Sequence, residues 1–340
     1  MSAAEKQISL ALQGGGTHGA FTWGVLDRLL ADERISIQAI SGTSAGAING
    51  AMLTYGMMEG GREGARAALS RFWRKVGETA RFSPFQPTWL DRLLGEGGLD
   101  FSPPYVAADF LSRVMSPYET TLFDMNPLRE LLSEYCDFDH VNACRSPLLH
   151  VCATHVLSGK IRVFAPGEIT AETVLASACL PHMFRAVEVE GEHYWDGGFV
   201  GNPPLYPLIR PDLPADIVLV AVNPIHIDRL PRSAREIVDR TNEISFNANV
   251  MREMRTIDLI TRMLDAGHLG PGAAKRRLYL HMIGAEQDMA RYGASSKFNA
   301  HPEFLDELFA LGQRTAEAWL AAYCAQLGQA STMDVKKIFV

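Results

Sequence analysis

A chain of 340 residues, 47% hydrophobic and 21% charged, has the composition of a packed globular protein and room for one large domain or two modest ones. Its net charge of -7 gives phosphate backbones no general reason to bind, because such affinity rests on clustered lysine and arginine, so nucleic acid is not an expected partner. No apolar stretch reaches the roughly 20 residues that span a bilayer, and the start MSAAEKQISLALQ has no basic region leading into a long apolar one. A soluble, cytoplasmic protein without a signal peptide is expected. The cysteines, Cys136, Cys144, Cys152, Cys179 and Cys324, are odd in number and hold no C-x-x-C pair. Neither a disulfide framework nor a thiolate zinc site is predicted.

Residues 7–13 (QISLALQ) predict a short buried strand, and the glycine cluster Gly14 to Gly19 separates it from an amphipathic helix over 20–30. A second strand over 35–40 ends in Ser41-Gly42-Thr43-Ser44-Ala45-Gly46, ahead of a small-residue helix over 47–55. The repeated strand, loop and helix predict an α/β fold with a largely parallel sheet. From 56 to about 139 the pattern becomes helical and is broken by Pro and Gly, which predicts a helical insertion. Its aromatic residues Phe72, Trp73, Phe82, Phe85, Trp89, Phe101, Tyr105 and Phe110 are expected in the core rather than on a lipid-docking face. Asn126-Pro127 ahead of LRELL predicts a capped helix.

Strand character returns over 148–156, with Ser158-Gly159 as a turn into a partner over 160–164. A short helix over 173–178, short strands at 187–189 and 193–195 about Gly191, and a central strand over 216–222 follow. A long helix over 233–264, a last strand over 278–282 and a helix over about 302–327 complete the order. With no linker in view, residues 1–230 are expected to form one α/β domain and 231–340 a helix-rich extension packed on it.

Gly42-Thr43-Ser44-Ala45-Gly46 is G-x-S-x-G at a strand-to-helix turn, which makes Ser44 a candidate nucleophile against the alternative of an ordinary small-residue turn. Gly14-Gly15-Gly16-Thr17-His18-Gly19 also satisfies the dinucleotide-binding G-x-G-x-x-G pattern. That reading needs an acid at the end of the second strand, and the nearby acids, Asp32 and Glu33, precede it. The same loop suits an oxyanion hole or a turn without a ligand. Asp196-Gly197-Gly198 places a carboxylate at a strand end, where it starts a turn or serves the chemistry. The histidines lack metal-binding spacing, and neither a metal nor a cofactor is expected.

Taken together, LALQGGGTHGAFTWGVL, ISGTSAGAINGAML, ASACLPHMF and YWDGGFVGNPPL resemble the patatin-like phospholipases in order and spacing, over residues 8 to about 205. The resemblance implies a patatin-like three-layer sandwich and lipid acyl hydrolysis, with transient contact at a membrane surface. It further implies Ser44 as nucleophile, Asp196 as its partner in a Ser-Asp dyad, and Gly14, Gly15 and Gly16 as the oxyanion hole, supported by Gly19, Gly42, Gly46, Gly197 and Gly198. One departure stands out: the family usually has Arg or Lys where this chain has His18, a charge that titrates near neutrality. A protonated His18 is therefore expected to anchor an anionic headgroup or the loop. Two rivals stay open. One is a Ser-Asp-His α/β-hydrolase drawing on His226, His268, His281 or His301, and the other is a non-catalytic lipid-binding protein that keeps the fold.

Overall fold

The near-continuous apolar run QISLAL becomes strand β1 (Lys6–Leu12), buried on both faces as a central parallel strand must be. The computed structural model describes residues 5–94, 97–119, 126–227, 229–268 and 276–339. After β1 come helix α1 (Gly19–Ala31), strand β2 (Ile35–Thr43) and helix α2 (Ala45–Ala80). The last of these runs far beyond the predicted helix, broken where Gly60 and Gly61 leave helical geometry. A side chain at Gly61 would meet nothing, so its glycine serves the left-handed φ of +60° rather than close packing.

The insertion continues with α3 (Trp89–Leu94), α4 (Pro103–Val114), α5 (Pro127–Tyr135) and α6 (Phe138–Ala143). Asn126 caps α5 as expected, its side chain accepting from the Leu128 amide at 3.1 Å. The aromatic residues divide. Phe72, Trp73 and Tyr105 are buried, but Phe82, Trp89, Phe101 and Phe110 are exposed, Phe82 by 92%. The expectation of a uniformly buried set is corrected, because α4 lays only its Tyr105 side on the body, against Phe85 and Phe298.

The chain then forms β3 (Leu148–His155), β4 (Ile161–Phe164), α7 (Ala171–Ser177), β5 (Val187–Val189), β6 (Glu192–Asp196), β7 (Asp216–Ala221), α8 (Ala234–Asp265), β8 (Tyr279–Gly284), α9 (Glu286–Met289), α10 (Pro302–Tyr323) and α11 (Val335–Phe339). Capping boxes start α7 at Thr170 and α8 at Ser233, where Glu236 returns the hydrogen bond. The sheet order is β5-β6-β3-β2-β1-β7-β8, with β4 beside β3. Pairings from β3 through β2, β1 and β7 to β8 are parallel, whereas β4, β5 and β6 pair antiparallel. Helices cover both faces, giving a three-layer α/β sandwich.

One side of the core joins α1, α2 and α10 to the sheet, and the other joins α8 and α11 to β7 and β8. A Cβ on Gly24 would overlap the Phe309 carbonyl, and one on Gly312 the Phe21 carbonyl. Helices α1 and α10 therefore meet backbone to backbone, which only hydrogen side chains permit. Register brings three loops together at one end: Leu12 lies beside Gly42, Thr43 beside Cys152, and Ala153 beside Asp196. The carboxyl ends of parallel strands are where α/β sheets gather ligands.

Candidate active site

Ser44 sits between β2 and α2 with φ 55° and ψ -123°, a left-handed conformation that a non-glycine residue holds only when its surroundings enforce it, at a cost of about 1–3 kcal/mol. The neighbours enforce it here. A Cβ on Gly46 would overlap the Leu12 carbonyl, and one on Gly42 would lie 2.7 Å from the Gly46 carbonyl oxygen. The Ser44 amide donates to Ser177 Oγ at 2.8 Å, which ties the turn to the end of α7. The half-buried Ser44 side chain lies near enough to the Asp196 carboxylate to favour its ionised form.

Asp196 ends β6 and is 3% exposed. Its Oδ1 accepts from the Gly198 amide at 2.7 Å, and Gly197 packs so closely on the Cys152 carbonyl that a Cβ would overlap it. Burial raises its carboxyl from 3.8 to about 6, against the hydrogen bonds from Gly198 and Ser44 and the charge of Lys297, which all favour the ionised form. A carboxylate poised there accepts a proton near neutral pH and gives it back.

The glycine loop lies against this pair. A Cβ on Gly14 would stand 2.6 Å from Ser44 Cβ. The Gly14 amide itself donates to Asn202 Oδ1 at 2.6 Å, and its carbonyl accepts from Asn223 Nδ2 at 2.8 Å. That occupied amide corrects the grouping of Gly14 with the free donors of the loop. The Gly15 and Gly16 amides have no protein acceptor among the described residues. Gly16 holds φ +59° with the Lys297 carbonyl in its Cβ space, so no other residue fits without moving the loop. Gly19 is packed against Ala45 and Trp73.

His18 is not a titrating cation. It is 2% exposed among Tyr292 and Phe304, and burial with the nearby Lys297 charge drives it down from 6.5 to about 3. Ser296 spends its hydroxyl hydrogen on the Gly293 carbonyl at 2.6 Å, so it accepts from His18 Nε2–H at 2.7 Å. Nδ1 is buried without a partner. The expectation of a protonated His18 is corrected for that reason.

The charge lies elsewhere, on Lys297. Its single-turn helix Ala294–Phe298 is held on the glycine loop by Thr17 Oγ1, which donates to the Ser296 carbonyl at 2.8 Å. The Lys297 ammonium donates to Asn223 Oδ1 at 2.9 Å. Sequence reading missed Lys297, Ser177 and Asn223, and noted Asn202 only as the end of a loop. All four act through folded proximity, and only Asn202 and Ser177 lie inside recognisable blocks. Behind them Gln13 Oε1 accepts from the Val222 and Asn223 amides at 3.0 and 3.1 Å, which fixes the root of the loop.

The four downstream histidines are engaged elsewhere or lie apart. His281 bridges Asp216 Oδ1 at 3.0 Å and Thr332 Oγ1 at 2.9 Å, at the opposite end of β7 from the glycine loop. His301 faces Glu303 at 3.7 Å. The His226 amide donates to Glu286 Oε1 at 2.8 Å, and the His268 amide to the Met263 carbonyl at 3.0 Å. None of the four is hydrogen-bonded to Ser44 or Asp196 among the described residues. No group of His, Cys, Asp or Glu there could hold a metal ion, no described helix is long and apolar enough to cross a membrane, and the five cysteines are buried and free.

A family model for patatin-like phospholipases matches residues 10–209, more than half of the chain. Among solved structures, the chain is similar to VipD from Legionella pneumophila at 16% identity and a TM-score of 0.36, over 90% of this chain and 68% of that one. It is also similar to the type III effector protein ExoU at 16% identity and a TM-score of 0.33, where it covers 53% of that chain and 94% of its own length is aligned. The heterodimeric ExoU–SpcU complex of Pseudomonas aeruginosa aligns at 15% identity with a TM-score of 0.30, over 98% of this chain and 65% of that one. No curated protein matches the sequence.

Proposed function

Since the chain belongs to the patatin-like phospholipase family, as the match over residues 10–209 establishes, we propose that it is a serine acyl hydrolase that cleaves fatty-acyl esters of lipids through a Ser44–Asp196 dyad. The single observation that carries this reading is the strained Ser44 turn set against the buried Asp196 carboxyl, which burial raises to about 6. The hydroxyl oxygen attacks the ester carbonyl while its proton passes to Asp196. The Gly15 and Gly16 amides receive the negative oxygen of the tetrahedral intermediate. Collapse breaks the bond to the alcohol, which leaves with the proton from Asp196, and an acyl group remains on Ser44. Water then attacks this ester, giving a proton to Asp196, and the fatty acid departs as Ser44 regains its hydrogen.

A dyad is favoured over a triad because the base position beside Ser44 is filled by Asp196, while His281 is spent on Asp216 and Thr332 at the far end of β7. The test is fatty-acid release from short-chain esters by wild type, Ser44→Ala and His281→Ala. Activity lost in Ser44→Ala and kept in folded His281→Ala supports the dyad. Activity kept in Ser44→Ala removes Ser44 as the nucleophile, and a wild type that releases no fatty acid leaves a lipid-binding protein.

A further inference from the structure

Asn223 lies just beyond the end of β7, is 2% exposed, and spends both polar atoms of its side chain at the glycine loop. Its Nδ2 donates to the Gly14 carbonyl at 2.8 Å and reaches Gln13 Oε1 at 3.5 Å, while Oδ1 accepts from Lys297 Nζ at 2.9 Å. The Gly14 carbonyl can only accept. So can Gln13 Oε1, which the Val222 and Asn223 amides already hold at 3.0 and 3.1 Å. The Asn223 amide therefore cannot turn over, and Lys297 completes it from the other side. Burial lowers the Lys297 pKa, and the charges of Glu243, Asp239 and Asp196 oppose that shift.

The bond to Gly14 controls the other edge of the same peptide. In a trans peptide the N–H points away from the C=O, so a Gly14 carbonyl drawn to Asn223 turns the Gly15 N–H the opposite way. Its direction follows from the sheet. Strand β1 lies between β2 and β7, so a loop after β1 whose carbonyl is drawn toward the end of β7 presents its next N–H toward the end of β2, where Ser44 stands. The other contact of the Gly14 carbonyl, Asn202 Nδ2 at 3.4 Å, is long and leaves the 2.8 Å bond to set the plane. The second donor is fixed within the loop: the Gly15 carbonyl accepts from the His18 amide at 3.2 Å, which turns the Gly16 N–H without help from a side chain.

We propose that Asn223 is a positioning residue for ester hydrolysis, holding the Gly14 carbonyl so that the Gly15 amide is aimed in advance at the oxygen that turns negative when Ser44 attacks. The inference rests on the Ser44 reading. A donor oriented before the reaction needs no reorientation during it, and its catalytic value lies there. Asn223 acts through the peptide it holds and exchanges no proton with substrate.

The experiment measures hydrolysis of p-nitrophenyl butyrate and inhibition by a pair of ketones for wild type, Asn223→Ala and Asn223→Asp, with rates counted per site titrated to completion by a fluorophosphonate. Ser44 attacks an alkyl trifluoromethyl ketone: the Oγ–carbon bond forms, the hydroxyl proton passes to Asp196, and the carbonyl π electrons move onto the oxygen that the hole must hold. The matching methyl ketone stays trigonal and reports ground-state binding. Asn223→Ala should lower kcat about 10- to 100-fold, less than outright loss of an oxyanion donor costs, with KM within about twofold of wild type. The Ki of the trifluoromethyl ketone should rise by a similar factor while that of the methyl ketone holds. Asn223→Asp keeps the size and an acceptor for Lys297 but has no donor for the Gly14 carbonyl, so it should show the same split. In isotope-labelled wild type, the Gly15 amide proton resonance should move downfield with the trifluoromethyl ketone and stay in place with the methyl ketone. A wild-type kcat per titrated site in either variant, an equal loss of affinity for both ketones, or an unmoved Gly15 resonance overturns the proposal while the Ser44 reading stands. Hydrolysis surviving in Ser44→Ala removes that reading itself.

Discussion

Replacing Asp196 by asparagine should end hydrolysis and stabilise the fold at neutral pH. The carboxyl is 3% exposed and raised from 3.8 to about 6, so the native state holds a proton that the unfolded chain has released over that interval. Stability then falls as pH rises from about 4 to about 6, and the full cost persists above it. Two pKa units correspond to about 3 kcal/mol, an upper figure, since the asparagine amide must still find an acceptor. Its oxygen can keep the Gly198 amide bond, and its nitrogen faces the Ser44 oxygen. Urea unfolding of wild type and Asp196→Asn between about pH 4 and pH 8 measures the difference. The curves should nearly coincide at the acid end and separate by about 1–3 kcal/mol in favour of the variant above pH 7. A variant less stable than wild type at pH 8 would refute the buried, proton-poised carboxylate. The same ionisation governs rate: wild-type activity should fall as pH drops through about 6, where Asp196 ceases to accept a proton.

Two further changes probe the scaffold. Gly312→Ala pushes a methyl into the Phe21 carbonyl of α1 and should cost about 1–3 kcal/mol in urea unfolding; no loss would mean that α1 and α10 are not in backbone contact. His281→Ala strips Asp216, 4% exposed, of its imidazole partner and leaves it, among the described residues, the Gly328 amide at 2.8 Å. It should cost about 3 kcal/mol while kcat of the folded fraction stays at the wild-type level, and a large fall in kcat would restore the triad.

The sheet and its two glycine-rich turns were legible because each is a local event. Strand β1 is an unbroken apolar run, α5 announces its cap in Asn126, and the Ser44 turn needs small residues on both sides. The length of α2 was not legible, because the helix passes through Gly60 and Gly61 with helical structure on either side. The exposure of Phe82 and Trp89 depends on what the insertion packs against, which composition cannot express. Nor does a charge at position 18 follow from residue type, since burial against Tyr292 and Phe304 leaves His18 neutral. Lys297 could not be found at all from Ser-Ser-Lys-Phe. It reaches the glycine loop through a pairing of segments about 280 residues apart, of which Thr17 and Ser296 are the visible clasp.

The nucleophile is the central claim, and covalent capture tests it most directly. Full-length protein treated with a fluorophosphonate probe, digested and sequenced by mass spectrometry should carry one adduct, on Ser44, and Ser44→Ala should carry none, because the probe's phosphorus reacts only with a hydroxyl whose proton is being drawn away. An unlabelled wild type, or an adduct on Thr332 beside His281 in place of Ser44, would contradict the account.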